Sequence, residues 1–168
     1  MIGVDYARTM ARYNAWQNRS LYGAADGLTD ESRKVDRGAF FGSIHGTLSH
    51  LMWGDQQWMS RFQPGTLDKP PVLVRESPGN YPDWDDLKAQ RTHFDARIID
   101  WADHLPPDWL AGDITWYSGL AKANVTKPKW IIVTHFFNHQ THHRGQVHAM
   151  LTAAGAKPDD TDLMLMAV

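Results

Sequence analysis

The sequence predicts an all-α fold, a four-helix bundle with a long crossover loop and a short β-hairpin before the last helix. Three observations carry this: apolar residues recur at three- and four-residue steps in four long segments, the prolines cluster between segments, and 42% hydrophobic content over 168 residues suffices to close one core. The first segment, residues 4–26, places Tyr6, Met10, Tyr13, Trp16, Leu21 and Ala24 on one face. LTDESRKVD follows as turn chemistry. A second helical pattern runs from Phe40 to Phe62 until Pro64-Gly65 stops it. From Gln63 to Pro82 five prolines and two glycines exclude long regular elements, which defines the crossover loop. Asp83 is a candidate N-cap for a third helix carrying Trp84, Leu87, Phe94, Ile98 and Trp101, which ends ahead of Pro106-Pro107. Residues 112–127 gather β-branched and aromatic residues around Gly119, the pattern of a hairpin. The fourth helix is predicted from Pro128 to Ala154, with Gly155 as its C-cap. No repeat or linker divides the chain, so residues 1–168 are read as a single domain.

Composition narrows the function classes. Seventeen Lys and Arg against nineteen Asp and Glu leave a formal charge of −2 with no basic block, which argues against nucleic acid as a direct partner. No apolar run approaches the roughly 18 residues that span a bilayer, and the N-terminus lacks the apolar stretch of a signal peptide, so a cytoplasmic protein with no membrane partner is expected. Cysteine is absent, which removes disulfides, thiolate nucleophiles and cysteine-ligated metal sites. A metal would have to be held by His, Asp or Glu. Five of the nine histidines fall between positions 135 and 148.

On the fourth helix, Ile132, Phe136, His139, His143, Val147 and Met150 share a sector of roughly 80°. His139 and His143 thus face the core one turn apart, a spacing at which two imidazoles converge on one ion. The pair by itself is equally consistent with hydrogen-bonded core histidines. The stretch from His139 to His143 differs by one residue from the zinc-protease pattern H-E-x-x-H, with Gln140 in place of the glutamate base, which disfavours peptidase chemistry. A third ligand is less evident, since His50 lies about 100° off the apolar centre of the second helix. Gly46 and Gly54, one turn to either side, leave room for an imidazole there. His142 and His135 fit solvated or hydrogen-bonding roles, and surface or capping roles suffice for His45, His93, His104 and His148. Asp55 falls near the apolar centre of the second helix, where a carboxylate needs a partner. An Arg, Trp or helix-terminus bond is favoured over a role orienting a ligand imidazole. Arg144, next to His143, can meet Asp55 or an anionic ligand.

Taken together, MARYNAWQNRSL at 10–21, FFGSIHGTLSH at 40–50, DQQW at 55–58, HFFNHQTHHRGQVH at 135–148 and PDDTDL at 158–163 resemble the damage-inducible DinB family of helical bundles, unrelated to the DNA polymerase of that name. The resemblance implies an up-down-down-up bundle with a three-histidine metal site at His50, His139 and His143. Around these, Asp55, His142 and Arg144 are candidates for an outer shell. It further implies one divalent ion, zinc or nickel ahead of iron or manganese, and a homodimer, in which some of Tyr6, Tyr13 and Trp16 would cover the partner. Relatives of this family include thiol transferases and a mycothiol-dependent isomerase.

Three functions are compatible with this sequence. A metal-dependent transferase would join a low-molecular-weight thiol to a small electrophilic substrate, the sulfur arriving with the cosubstrate because the chain has none. A metal-dependent hydrolase needs a proton acceptor near the ion, which Gln140 is not. A non-enzymatic, stress-related metal- or ligand-binding protein needs neither.

Overall fold

The computed structural model describes residues 2–119 and 121–167, so Met1, Leu120 of the hairpin span and Val168 lie outside the description. Four long helices carry the architecture: α1 (Val4–Asp26), α3 (Ile44–Phe62), α4 (Trp84–Asp103) and α5 (Lys129–Ala153), with a five-residue α2 (Asp30–Lys34) between the first two. Strands β1 (Asp113–Ser118) and β2 (Ala123–Pro128) form the antiparallel hairpin ahead of α5. None of the described helices is long and apolar enough to cross a membrane.

Side-chain pairs fix the helix directions. Asp26 meets Trp84 and Lys88 while Arg12 meets Asp103, so α1 and α4 are antiparallel. Tyr6 touches Phe137 and Asn14 touches Arg144, which makes α1 and α5 parallel. Asp55 pairs with Arg91 and Phe62 stacks on Trp101, so α3 and α4 run together and need a long connection. The result is the up-down-down-up order. One half of the core is aromatic: Phe62 lies flat on Trp101 at 5.2 Å and edge-on to Phe136 at 5.7 Å, with Trp109 closing the cluster. Of the aromatic residues on which the dimer expectation rested, Tyr6 sits edge-on to Phe137, and Tyr13, beside Trp16, bonds the carbonyl of Thr161.

Several boundaries follow their local chemistry. Asp83 caps α4 by accepting the amide of Asp86. At the end of α5, Gly155 takes φ +83° and the amides of Gly155 and Ala156 return to Thr152 and Leu151, a Schellman stop. Two expectations need correction. The second long helix starts at Ile44, not Phe40, because the Ser43 hydroxyl caps the amide of Gly46, while residues 39–42 form a tight turn through Gly42 at φ +75°. The segment read as turn chemistry contains α2, which Thr29 caps by accepting the amide of Ser32.

The crossover loop is tied to α3. The Ser49 hydroxyl donates to the carbonyl of Ser77 and accepts the amide of Tyr81, the Trp53 indole donates to the carbonyl of Val72, and His45 reaches the carbonyl of Tyr81 at 2.6 Å. Positions 45, 49 and 53 lie on one face, so this stripe of α3 holds the loop and fixes a 3-10 turn, Val74–Gly79, against the helix. That turn delivers Ser77 to the site described next.

Candidate metal centre

His50 on α3 and His139 and His143 on α5 converge in the core, each offering a ring nitrogen within 4.8 Å of the other two. The Nε2 atoms of His50 and His139 are 3.1 Å apart, too close for two protonated nitrogens, so at least one presents a lone pair. Two further contacts select the tautomers. The Ser77 hydroxyl gives its single proton to the carbonyl of Val74 at 2.6 Å, so it accepts from His50 Nδ1–H at 2.8 Å. His143 Nδ1 donates to the Gln146 amide oxygen at 2.8 Å. In both rings the proton sits on Nδ1 and the Nε2 lone pair is free for the centre, the arrangement by which outer partners orient metal-binding imidazoles.

His50 is held between aromatic rings. Phe41 stacks on it at 3.7 Å and Trp53 lies nearly parallel at 5.8 Å, while Phe41 also reaches His143 at 5.3 Å. Gly54 provides room for His139, since a Cβ there would stand 3.0 Å from His139 Cε1. The expectation that Gly46 and Gly54 both open space beside His50 is therefore revised. Gly46 instead permits close approach of the Phe41 carbonyl and Pro78, where a Cβ would come to 2.7 and 3.3 Å.

Burial, reinforced by the neighbouring imidazoles, pulls the pKa values of His50 and His139 down to about 3, and burial also lowers that of His143. The cluster is neutral at physiological pH. In the metal-free protein the ring signals of His50 and His139 should stay unshifted in NMR titrations from about pH 7.5 to about pH 4.5, where a free imidazole would titrate near 6.5. The folded values lie below the unfolded ones, so the unfolded chain takes up protons that the folded site refuses. This contribution to stability is intact above 6.5 and is lost as the pH falls from there towards about 3. A midpoint near 6.5 for either ring would contradict the buried geometry.

The remaining candidates fall outside this ring of contacts. Asp55 is buried, but its Oδ2 accepts Arg91 Nη1 at 2.6 Å and its Oδ1 accepts Gln140 Nε2 at 2.7 Å. Gln140 is thus committed to Asp55. Arg91 continues to Asp95 at 2.9 Å, and Asn18 and Asn14 bond the same carboxylate at 2.9 and 3.2 Å. Burial disfavours the Arg91 cation, but Asp95 and Asp55 outweigh it and hold its pKa above the ordinary guanidinium range. Arg144 bonds the Asn14 amide oxygen and faces α1. His142 is exposed, with its ring 4.8 Å from that of His143 and its Nε2 3.4 Å from the Gln146 amide nitrogen. His135 packs edge-on to Trp58. Sequence reasoning missed Ser77, Phe41 and Gln146. Only Gln146 carried a local signal, three residues after His143 and therefore on its face.

Three neutral imidazoles that converge on one point, two of them held with their Nε2 lone pairs towards it, suit a single transition-metal ion, and no carboxylate of the described residues joins them. The class defined by fold and site is a helical bundle with a buried three-histidine centre able to hold a metal. The chain belongs to the DinB family, whose model matches residues 4–167. It is similar to Protein DinB of Bacillus subtilis (strain 168), with 25% identity over 163 residues that cover 94% of this chain and 91% of that protein.

Proposed function

We propose that this protein is a metal-dependent transferase that uses a low-molecular-weight thiol as cosubstrate and a small electrophile as acceptor. The observation that carries the reading is the donor set itself: three neutral imidazoles, two of them oriented by Ser77 and Gln146, in a chain without cysteine. Imidazole ligands suit zinc and nickel, the two ions we assign to the site. When bound, such an ion keeps its full positive charge and favours the thiolate form of an incoming sulfur.

The chain's own residues divide the remaining work. His50, His139 and His143 hold the ion, and Phe41 and Trp53 exclude water from one side of it. Phe40, 82% exposed and edge-on to Phe41, extends the apolar wall outward, where the carbon skeleton of an electrophile can rest. Hydrolysis is less well supported, because Gln140 is neither a base nor free of Asp55.

Titration calorimetry in two buffers of different ionisation enthalpy tests the proposal. Metal-loaded protein should bind a small thiol with release of about one proton, and chelator-treated protein should not. Silence across glutathione, cysteine, coenzyme A, mycothiol and bacillithiol would overturn the transferase reading and leave metal binding without thiol chemistry.

A further inference from the structure

On the side of α5 turned away from the histidine centre, a cavity of about 350 Å³ opens between α1 and α5. Tyr13, Gln17, Thr141, Arg144, His148 and Thr161 supply its polar lining. Its roof is preformed. The Asp159 amide donates to the Ser20 hydroxyl, Gln17 donates to the carbonyl of Asp160, and the Tyr13 hydroxyl donates to the carbonyl of Thr161, which holds the C-terminal strand of chain across the groove. The gap persists because α5 presents Gly145 and Ala149 here, and a Cβ on Gly145 would meet nothing within 4 Å.

The Arg144 side chain lining this cavity is 5% exposed. Its contacts are neutral, the Asn14 amide oxygen, the Thr141 hydroxyl at 3.4 Å and the Tyr13 ring at 5.6 Å, and among the described residues no carboxylate forms an ion pair with it. Asp55 and Asp95 act on it only from beyond ion-pair distance, and both already serve Arg91. Burial lowers the Arg144 pKa to about 10, which still leaves a cation at neutral pH. A guanidinium has five N–H donors, and a buried one with no carboxylate in direct contact is costly. His148 Nδ1, on the same face one turn along, is buried without a hydrogen-bond partner among the described residues.

We propose that this cavity binds a small organic carboxylate, its head paired with Arg144 and its apolar body against Leu21, Ala149 and the Tyr13 ring. The planar guanidinium matches a carboxylate edge to edge. Asp55 and Asp95 already act on the same guanidinium from a distance, so a ligand with a single negative charge suits the cavity better than a phosphate dianion. The cavity volume is at the lower end of the range for small-molecule sites, which sets the size of the ligand.

Amide-resolved NMR of the metal-loaded full chain tests the site with phenylacetate, benzoate and octanoate, and with phenylacetamide as the uncharged match. Saturable shifts are expected at Thr141, Gly145, Ala149 and Thr161 with at least one acid, and binding of phenylacetamide should be weaker than that of phenylacetate by about tenfold or more. Because Arg144 is part of the core, the diagnostic variant is Ala149→Phe, an exposed position whose new ring fills the cavity. It should abolish these shifts while the rest of the spectrum keeps its dispersion. The proposal is overturned if no acid gives saturable shifts, if phenylacetamide binds as well as phenylacetate, or if the shifts gather at Phe41, Trp53 and the three histidines. It is equally overturned if Ala149→Phe leaves the shifts in place.

Discussion

Replacing Asp55 with Ala is expected to cost about 3–5 kcal/mol of stability, the loss typical of breaking a buried ion pair from one side. Asp55 is 1% exposed and is the only carboxylate that bonds both Arg91 and Gln140 among the described residues. Its removal leaves the Arg91 cation with Asp95 alone and strands the Gln140 amide in an apolar interior. Set against a typical domain stability of about 5–15 kcal/mol, that loss is large, and at about 2–4 °C per kcal/mol it should lower the melting temperature by about 6–20 °C. Thermal denaturation followed by circular dichroism measures it. A loss below about 1 kcal/mol for Asp55→Ala would show that Asp55 does not sustain the network.

That network marks where sequence reading reaches its limit. The four helices were legible because burial imposes a 3.6-residue rhythm on each of them, and because Asp83 and Gly155 mark ends by local bonding. His139 and His143 were legible for the same reason, since both sit on one helix. His50 is different. A helical wheel averages the apolar direction over all of α3, whereas His50 answers only to its own stretch, where the neighbours are α5 and the crossover loop. Resemblance to known helical bundles, not the wheel, pointed to it. Ser77 comes from a loop whose prolines argued against regular structure, and its 3-10 turn depends on contacts with Ser49 and Tyr81 that are far away in sequence. Asp55 was read as needing a partner, but Arg91, Asp95, Asn14 and Asn18 lie on other helices at separations that no local pattern encodes.

The second large effect is expected at the histidines themselves. Alanine at His50, His139 or His143 should each reduce bound metal to a small fraction of the wild-type content, because two imidazoles leave the ion short of the three protein ligands typical of an open site. The helical signal should persist, as the apolar core is untouched. His142→Ala, on the exposed face, should retain metal, and Ser77→Ala should weaken binding by about 10–100-fold through loss of the bond that orients His50. Undiminished metal in His50→Ala would remove that residue from the site.

X-ray absorption at the metal edge of the purified, loaded protein addresses the centre most directly. Three imidazole nitrogens at about 2.0–2.1 Å, with the outer-shell scattering of their rings, are the predicted result for zinc. A shell with fewer than three imidazoles, or one dominated by carboxylate oxygen, would contradict the assignment of His50, His139 and His143 as the ligands.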